Sequence, residues 1–226
     1  LKTFIGRRLL RRPAVGEIMQ TAFIQGMGIG ASLIIAVGAQ NAFVLKQGIK
    51  RAYPFPIALT CSLIDALMIT AGVAGLGQLI LAVPAIKHLA SFGGAAFLLW
   101  YGFNALRSSF KSQGLQTGDT EAADSFRKAM ITTLAISFLN PHLYLDTVVL
   151  LGSISTKFDT EVRGWFGAGA VLASFIWFFS LSFGARLLAP VFSRPAAWRY
   201  LDRFIWLTMW SIALAILWPY FQGRGF

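Results

Sequence analysis

Charged residues in this chain are fenced into short intervals, and long apolar stretches run between them. No charge falls from Ile18 to Leu45, from Leu89 to Leu106, from Gly164 to Ala185 or from Phe204 to Gly223. From Ala52 to Ile86 the one charge is Asp65, and from Ala129 to Thr156 the ionisable side chains, tyrosine aside, are His142 and Asp146. An apolar run of about 18 residues or more has the length of a helix that crosses a bilayer. The pattern predicts six such helices, over about 21–45, 55–83, 86–106, 127–152, 164–190 and 203–221. The expected fold class is therefore an all-α integral membrane protein.

The interval 107–127 is rich in Ser, Gln, Gly and Thr, has no hydrophobic period, and reads as a flexible linker. It divides the chain into a first three-helix unit over 19–110, a cytoplasmic linker over 111–126 and a second three-helix unit over 127–226. With three spans in each, the units must insert with opposite orientation. That is the arithmetic of an inverted repeat, whose substrate site lies near the midplane between the repeats. Residues 1–18, with five basic side chains, read as a tail from an upstream start and are expected to stay outside the fold. A cleaved signal peptide would need Ile18–Leu45 as its apolar core, which is too long.

Charge then orients the chain. The connections after the first, third and fifth spans carry eleven basic residues, among them Lys46, Lys50, Arg51, Arg107, Arg186 and Arg203. The opposite side, with the tail set aside, carries Lys87, Lys157, Arg163 and Arg224. Cytoplasmic loops hold the excess of Lys and Arg, so the linker is expected inside and both termini outside. The same rule accounts for the net charge of +11 without nucleic acid, for which no basic stripe on a polar helix or aromatic-studded strand exists. Only 13% of residues are charged and the mean hydropathy is +0.65, against about 25% charged in a soluble domain. Cys61 is the single cysteine, which excludes an internal disulfide and a cysteine-rich metal site. No cofactor is expected. Two buried aspartates can hydrolyse peptides in a membrane, but no Gly-x-Gly-Asp run and no His-Glu-x-x-His occurs, so enzyme chemistry is set aside.

The polar residues inside the apolar runs are the candidate site. An ionisable side chain in hydrocarbon is costly, and it faces a cavity, pairs with another group, or marks a substrate or proton path. Asp65 lies about ten residues into its span, hence about 15 Å deep at 1.5 Å per residue. It shares a helix face with Cys61, Met68 and Gly72, and no Lys or Arg lies at its depth to pair with it. Asp146 follows the same reasoning. Around it, Asn140-Pro141-His142 with Tyr144 crowd polar groups beside a proline, which either kinks the helix or breaks it to line a binding site. Gly38-Ala39-Gln40-Asn41 is the counterpart in the first span. Its two amides either bind cargo or tie helices together. His142 either relays protons or caps the break. The glycines at 26, 30, 164, 167 and 169 read as sites of close helix contact.

Taken in order, Gln40-Asn41-Ala42-Phe43-Val44, Gln47-Gly48-Ile49, Asn140-Pro141-His142, Tyr144-Leu145-Asp146-Thr147 and Ala173–Phe179 resemble the lysine/arginine exporter family (LysE type), especially its arginine-exporting branch. The resemblance covers about residues 19–222. It implies a secondary transporter of the bacterial inner membrane that exports basic amino acids. Its partners are the lipid bilayer, a basic amino acid and protons, and a homo-oligomer is left open. Asp65 and Asp146 then bind the cargo's cation and exchange it for protons, with His142 as a further proton-coupling candidate. Gln40, Asn41, Asn140 and Tyr144 hold the rest of the molecule, and Gly38 and Pro141 mark the helix breaks. The family's Gly-Pro-Gln-Asn reads Gly-Ala-Gln-Asn here, with Ala39 in place of proline. The rival cargo is a neutral amino acid or homoserine, and then a divalent metal. A related neutral-exporting branch usually lacks the Tyr-Leu-Asp-Thr run, so Asp146 argues for a cation.

Overall fold

The computed structural model describes residues 15–35, 38–76, 84–110, 122–188 and 190–222. Helix α1 (Val15–Ile34) stops short of Gly38, and α2 (Ala39–Ile49) resumes with its axis turned by 81°. Helix α3 (Pro54–Val73) follows, opening on a proline in its first turn, where a missing N–H costs nothing. Then come α4 (Pro84–Ser109) and α5 (Ala122–Phe138). The chain breaks at Leu139–Asn140 and continues as α6, made of Pro141–Leu143, a wide π-helical stretch Tyr144–Leu151, and Gly152–Ser155. Helix α7 (Thr160–Gly184) and, after two 3-10 turns, α8 (Pro195–Phe221) complete the fold. No strand occurs among the described residues. Helix α3, the segment Thr160–Leu188 and α8 are each long and apolar enough to cross a membrane, and α1 with α2 makes a fourth if taken as one broken span.

Three boundaries differ from the charge pattern. Helix α1 begins at Val15, so part of the segment expected to stay outside the fold is helical, and Ile18 packs on the α1–α7 core; residues 1–14 lie outside the described residues. Helix α5 begins at Ala122, while 111–121 of the expected linker lie outside them. Helix α8 begins at Pro195, eight positions before the expected start at 203, because a helix can extend through charges that find partners. That extension encloses Asp202, which is buried. Asp65 and Asp146 are therefore not the only acidic residues within the packed helices.

Helix pairing follows small residues. Helix α1 packs along α7, α6 against α3, α3 against α7, and α4 along α8. A Cβ on Gly26 would run into the backbone of Phe166, one on Gly30 would lie 2.8 Å from Ala170 Cα, and one on Gly169 would meet the Phe23 carbonyl. Across α3 and α6 the contact is reciprocal: a Cβ on Gly72 would lie 2.6 Å from the Thr147 carbonyl oxygen, and one on Gly152 would lie 2.7 Å from the Gly72 carbonyl oxygen. Backbones this close exclude lipid and maximise dispersion contact, the main source of helix affinity in a membrane. One core cluster joins α2, α3, α4, α5, α7 and α8 around Phe43, Leu98, Phe178 and Met209; a smaller one joins α1, α3, α6 and α7 around Ile69 and Phe166.

Gly169→Ala is expected to lower the thermal unfolding midpoint in detergent by several degrees, since overpacking costs roughly 1–3 kcal/mol. Gly164→Ala, whose Cβ would meet nothing within 4 Å, is expected to leave it unchanged or raise it.

Candidate functional site

A cavity of about 260 Å³ lies where the broken helices meet α3 and α7. Its wall includes Gly38, Gln40 and Asn41 from the start of α2, Asp65 from α3, and Asn140, His142 and Asp146 from the start of α6. Seven of the nine residues singled out in the sequence thus share one chamber; Tyr144 is not among its described lining residues, and the Pro141 side chain lies outside those described. Leu33, Ile34, Leu143, Leu151, Phe178 and Ile212 supply apolar wall, and Thr147 a hydroxyl. Among the described residues no Lys or Arg lines it.

The local geometry explains the placement. Each break leaves carbonyls of the stopped helix without their intrahelical donors. At the first, Asn41 Nδ2 donates to the Ile34 carbonyl at 2.8 Å, seven residues back. At the second, the Tyr144 hydroxyl donates to the Phe138 carbonyl at 2.8 Å, six residues back. Asn140 Oδ1 accepts from the His142 N–H at 3.1 Å and so caps the resumed helix. Asn41 is held in turn by Trp177 Nε1, which donates to its Oδ1 at 3.1 Å. These side chains hold the breaks open against collapse into continuous helix.

Asp65 is 2% exposed, and its Oδ2 accepts from Ser174 Oγ at 2.8 Å. A single neutral donor leaves a buried carboxylate short of partners, since a carboxylate offers about four acceptor positions. Gln40 Nε2 is likewise buried without a hydrogen-bond partner. Asp146 is half-buried and His142 exposed, so these two stand toward the rim. The starts of α2 and α6 both abut the chamber, and the amide end of a helix carries partial positive charge. Helix α2 has no side-chain cap, and its first intrahelical hydrogen bond is from Ala42 to Gly38, which leaves the Ala39 and Gln40 amides without intrahelical acceptors. The chamber can therefore hold a molecule that is cationic at one end and anionic at the other. Among the described residues no three His, Cys, Asp or Glu side chains converge as a metal site would need.

The LysE type translocator family matches residues 31–218. The chain belongs to that family. A LysE-type translocator is a multi-pass membrane transporter of the inner membrane, in keeping with the apolar helices. Curated relatives include an arginine exporter protein ArgO from Klebsiella pneumoniae (strain 342), 43% identical over 88% of this chain and 94% of that protein. The protein of the same name from Serratia proteamaculans (strain 568) is 40% identical over 88% of this chain and 98% of its own length. That from Escherichia coli (strain K12) is 41% identical, over 88% and 94%. No solved structure matches the chain.

Sequence reasoning missed Ser174 as the Asp65 partner and Trp177 as the clamp on Asn41, although both lie in the Ala173–Phe179 stretch that carried the family resemblance. Ile212 gave no signal, being one apolar residue among many in α8.

Tyr144→Phe is expected to cost about 1 kcal/mol of stability, the usual worth of one hydrogen bond. A thermal midpoint in detergent equal to that of the parent would mean the hydroxyl does not hold the break.

Proposed function

We propose that this chain exports basic amino acids, arginine and with it lysine, from the cytoplasm across the inner membrane in exchange for protons. The observation that carries the reading is the chamber with two aspartates and, among the described residues, no Lys or Arg on its wall, in a chain at least 40% identical to arginine exporters over 88% of its length. A cation that arrives with the cargo supplies the missing countercharge. Asp65 and Asp146 take the guanidinium, while the amide end of α2 and Gln40 Nε2 take the carboxylate. Release then follows protonation of the aspartates from the other side.

Proton exchange has a physical motive. Moving one positive charge outward against an inside-negative potential costs about 2.3 kcal/mol per 100 mV. A proton returning on the same carboxylate makes the step electroneutral. His142, at the rim, is placed to pass that proton between water and Asp146.

The reading includes six spans arranged as two inverted repeats, with α1/α2 and α5/α6 as the broken first spans. Three observations support it. Helix α2 packs on α7 as α6 packs on α3, and α4 pairs with α8, a reciprocity that a twofold relation between halves requires. Each break is closed by a downstream side chain bonding back to the last carbonyls, Asn41 in one half and Tyr144 in the other. The glycine contacts Gly48–Ser182, between α2 and α7, and Gly152–Gly72, between α6 and α3, recur at corresponding crossings. The basic stretches of sequence 46–53, 107–128 and 186–203 then face the cytoplasm.

Radiolabelled arginine counterflow in proteoliposomes tests the reading. Asp65→Asn and Asp146→Asn are each expected to abolish it, and lysine should compete where threonine and homoserine do not. Full activity in Asp65→Asn would sink the mechanism, and transport of threonine in place of arginine would move the chain to the neutral exporters.

A further inference from the structure

Helices α2 and α8 share the apolar core and also meet through charge. Lys46 on α2 makes an ion pair with Asp202 on α8, with side chains 15% and 8% exposed. One turn further along both helices, Lys50 sits over the Trp198 ring, 5.7 Å from its centroid. The steps 46 to 50 and 202 to 198 run side by side, so the two contacts are rungs of one ladder. Trp198 is fixed from behind, its Nε1 donating to the Phe192 carbonyl at 2.7 Å.

The ladder occupies a distinctive place. Helix α2 is seated on α7 by its other face, where a Cβ on Gly48 would lie 2.7 Å from Ala185 Cβ. Helices α1, α3, α6 and α7 are joined by backbone-to-backbone approach, which cannot open without exposing wide apolar surface. Helix α8 instead pairs mainly with α4, where Gly102 receives the Trp210 ring and Trp210 Nε1 donates to the Leu99 carbonyl at 3.2 Å. The α4–α8 pair is thus a two-helix arm. It meets α2, which carries Gly38, Gln40 and Asn41 of the chamber wall, through apolar contacts such as Phe43 on Tyr101 and, toward the end of α2, through polar side chains that water can replace.

On the export reading just given, from which this inference follows, the Lys46–Asp202 end of the chamber is the cytoplasmic end. We infer that Lys46 and Asp202 form the cytoplasmic gate of the transport path: paired, they hold the α4–α8 arm against α2 and shut the chamber; parted, they admit cargo. The pair also gives selectivity in time. A buried ion pair satisfies both charges while the gate is shut, and Asp202 freed of Lys46 is a carboxylate that an incoming cationic side chain meets before the chamber. Lys46 and Asp202 are positioning residues, because they act through the arm rather than on bound cargo.

Two measurements test the gate, after the parent protein has been shown to exchange arginine. If the parent fails, the export reading falls; if it succeeds, the following results bear on the gate alone. First, Lys46→Asp and Asp202→Lys are each expected to lower counterflow at least about tenfold, since breaking a buried pair is strongly unfavourable. The double swap is expected to return it to within about threefold of the parent, and a swap no better than the single reversals overturns the proposal. Second, Lys46→Cys with Asp202→Cys, in a Cys61→Ser background, is bridged by a short bis-methanethiosulfonate linker. Loss of counterflow on bridging with recovery in reductant supports the gate, whereas a bridged carrier as fast as its reduced form overturns it. Should the reduced cysteine pair be inactive, the charge swap decides.

Discussion

Two helices stop amid apolar sequence, at Ile34 and at Phe138, and each stop strands backbone carbonyls that need another donor. The protein answers both with side chains from just beyond the gap. Asn41 reaches back to Ile34 and Tyr144 to Phe138, while Asn140 caps the helix that resumes at Pro141. Once those groups are satisfied, the backbone can remain broken at membrane depth, and the space between helix ends becomes a chamber rather than a defect. The polar wall, the amide ends of α2 and α6, and the room for Asp65 to lack a basic partner all depend on that solution.

The remaining helices serve as a frame of two qualities. Where glycine brings backbones together, as between α1 and α7 or α3 and α6, the contact is shaped for one arrangement, because packed interiors deform little. Where α8 meets α2, the contact is a pair of lysines set against an aspartate and an indole ring. An ion pair and a cation–π contact can each be replaced by hydration at modest cost, and α2 carries part of the chamber wall. Stiffness and looseness are thus distributed so that motion at one seam changes access to the site without dismantling it.

Much of this was legible in the sequence because hydrocarbon punishes polarity. The charge-free intervals predicted apolar helices, and the polar residues inside them, Gln40, Asn41, Asp65, Asn140, His142 and Asp146, came together on one cavity wall. Proline at 141 and glycine at 38 marked both breaks, even with alanine at 39. What the pattern could not separate was service to the break from service to a ligand: Asn41 and Tyr144 are polar residues beside a gap, and only geometry commits their donors to backbone carbonyls. Nor could it find Asp202. A rule that ends a helix where charge begins places that residue in a loop, whereas Lys46 neutralises it within the packed bundle. Partners far apart in sequence leave no local trace.

The contrast between Asp65 and Asp202 is the most informative comparison in the molecule. Both are carboxylates on helices, both are buried, and each accepts a hydrogen bond from another helix. Asp202 has a resident ammonium, so its charge is settled within the protein and its partner can change only if the helices part. Asp65 has a hydroxyl, which orients a carboxylate without neutralising it. Burying an uncompensated charge is so costly that it becomes a requirement on whatever enters: a proton satisfies it, a cation satisfies it, and a neutral molecule does not. Among the described residues no lysine or arginine lines the chamber. A fixed positive side chain there would settle the charge permanently, as Lys46 does for Asp202, and leave nothing for the cargo to supply.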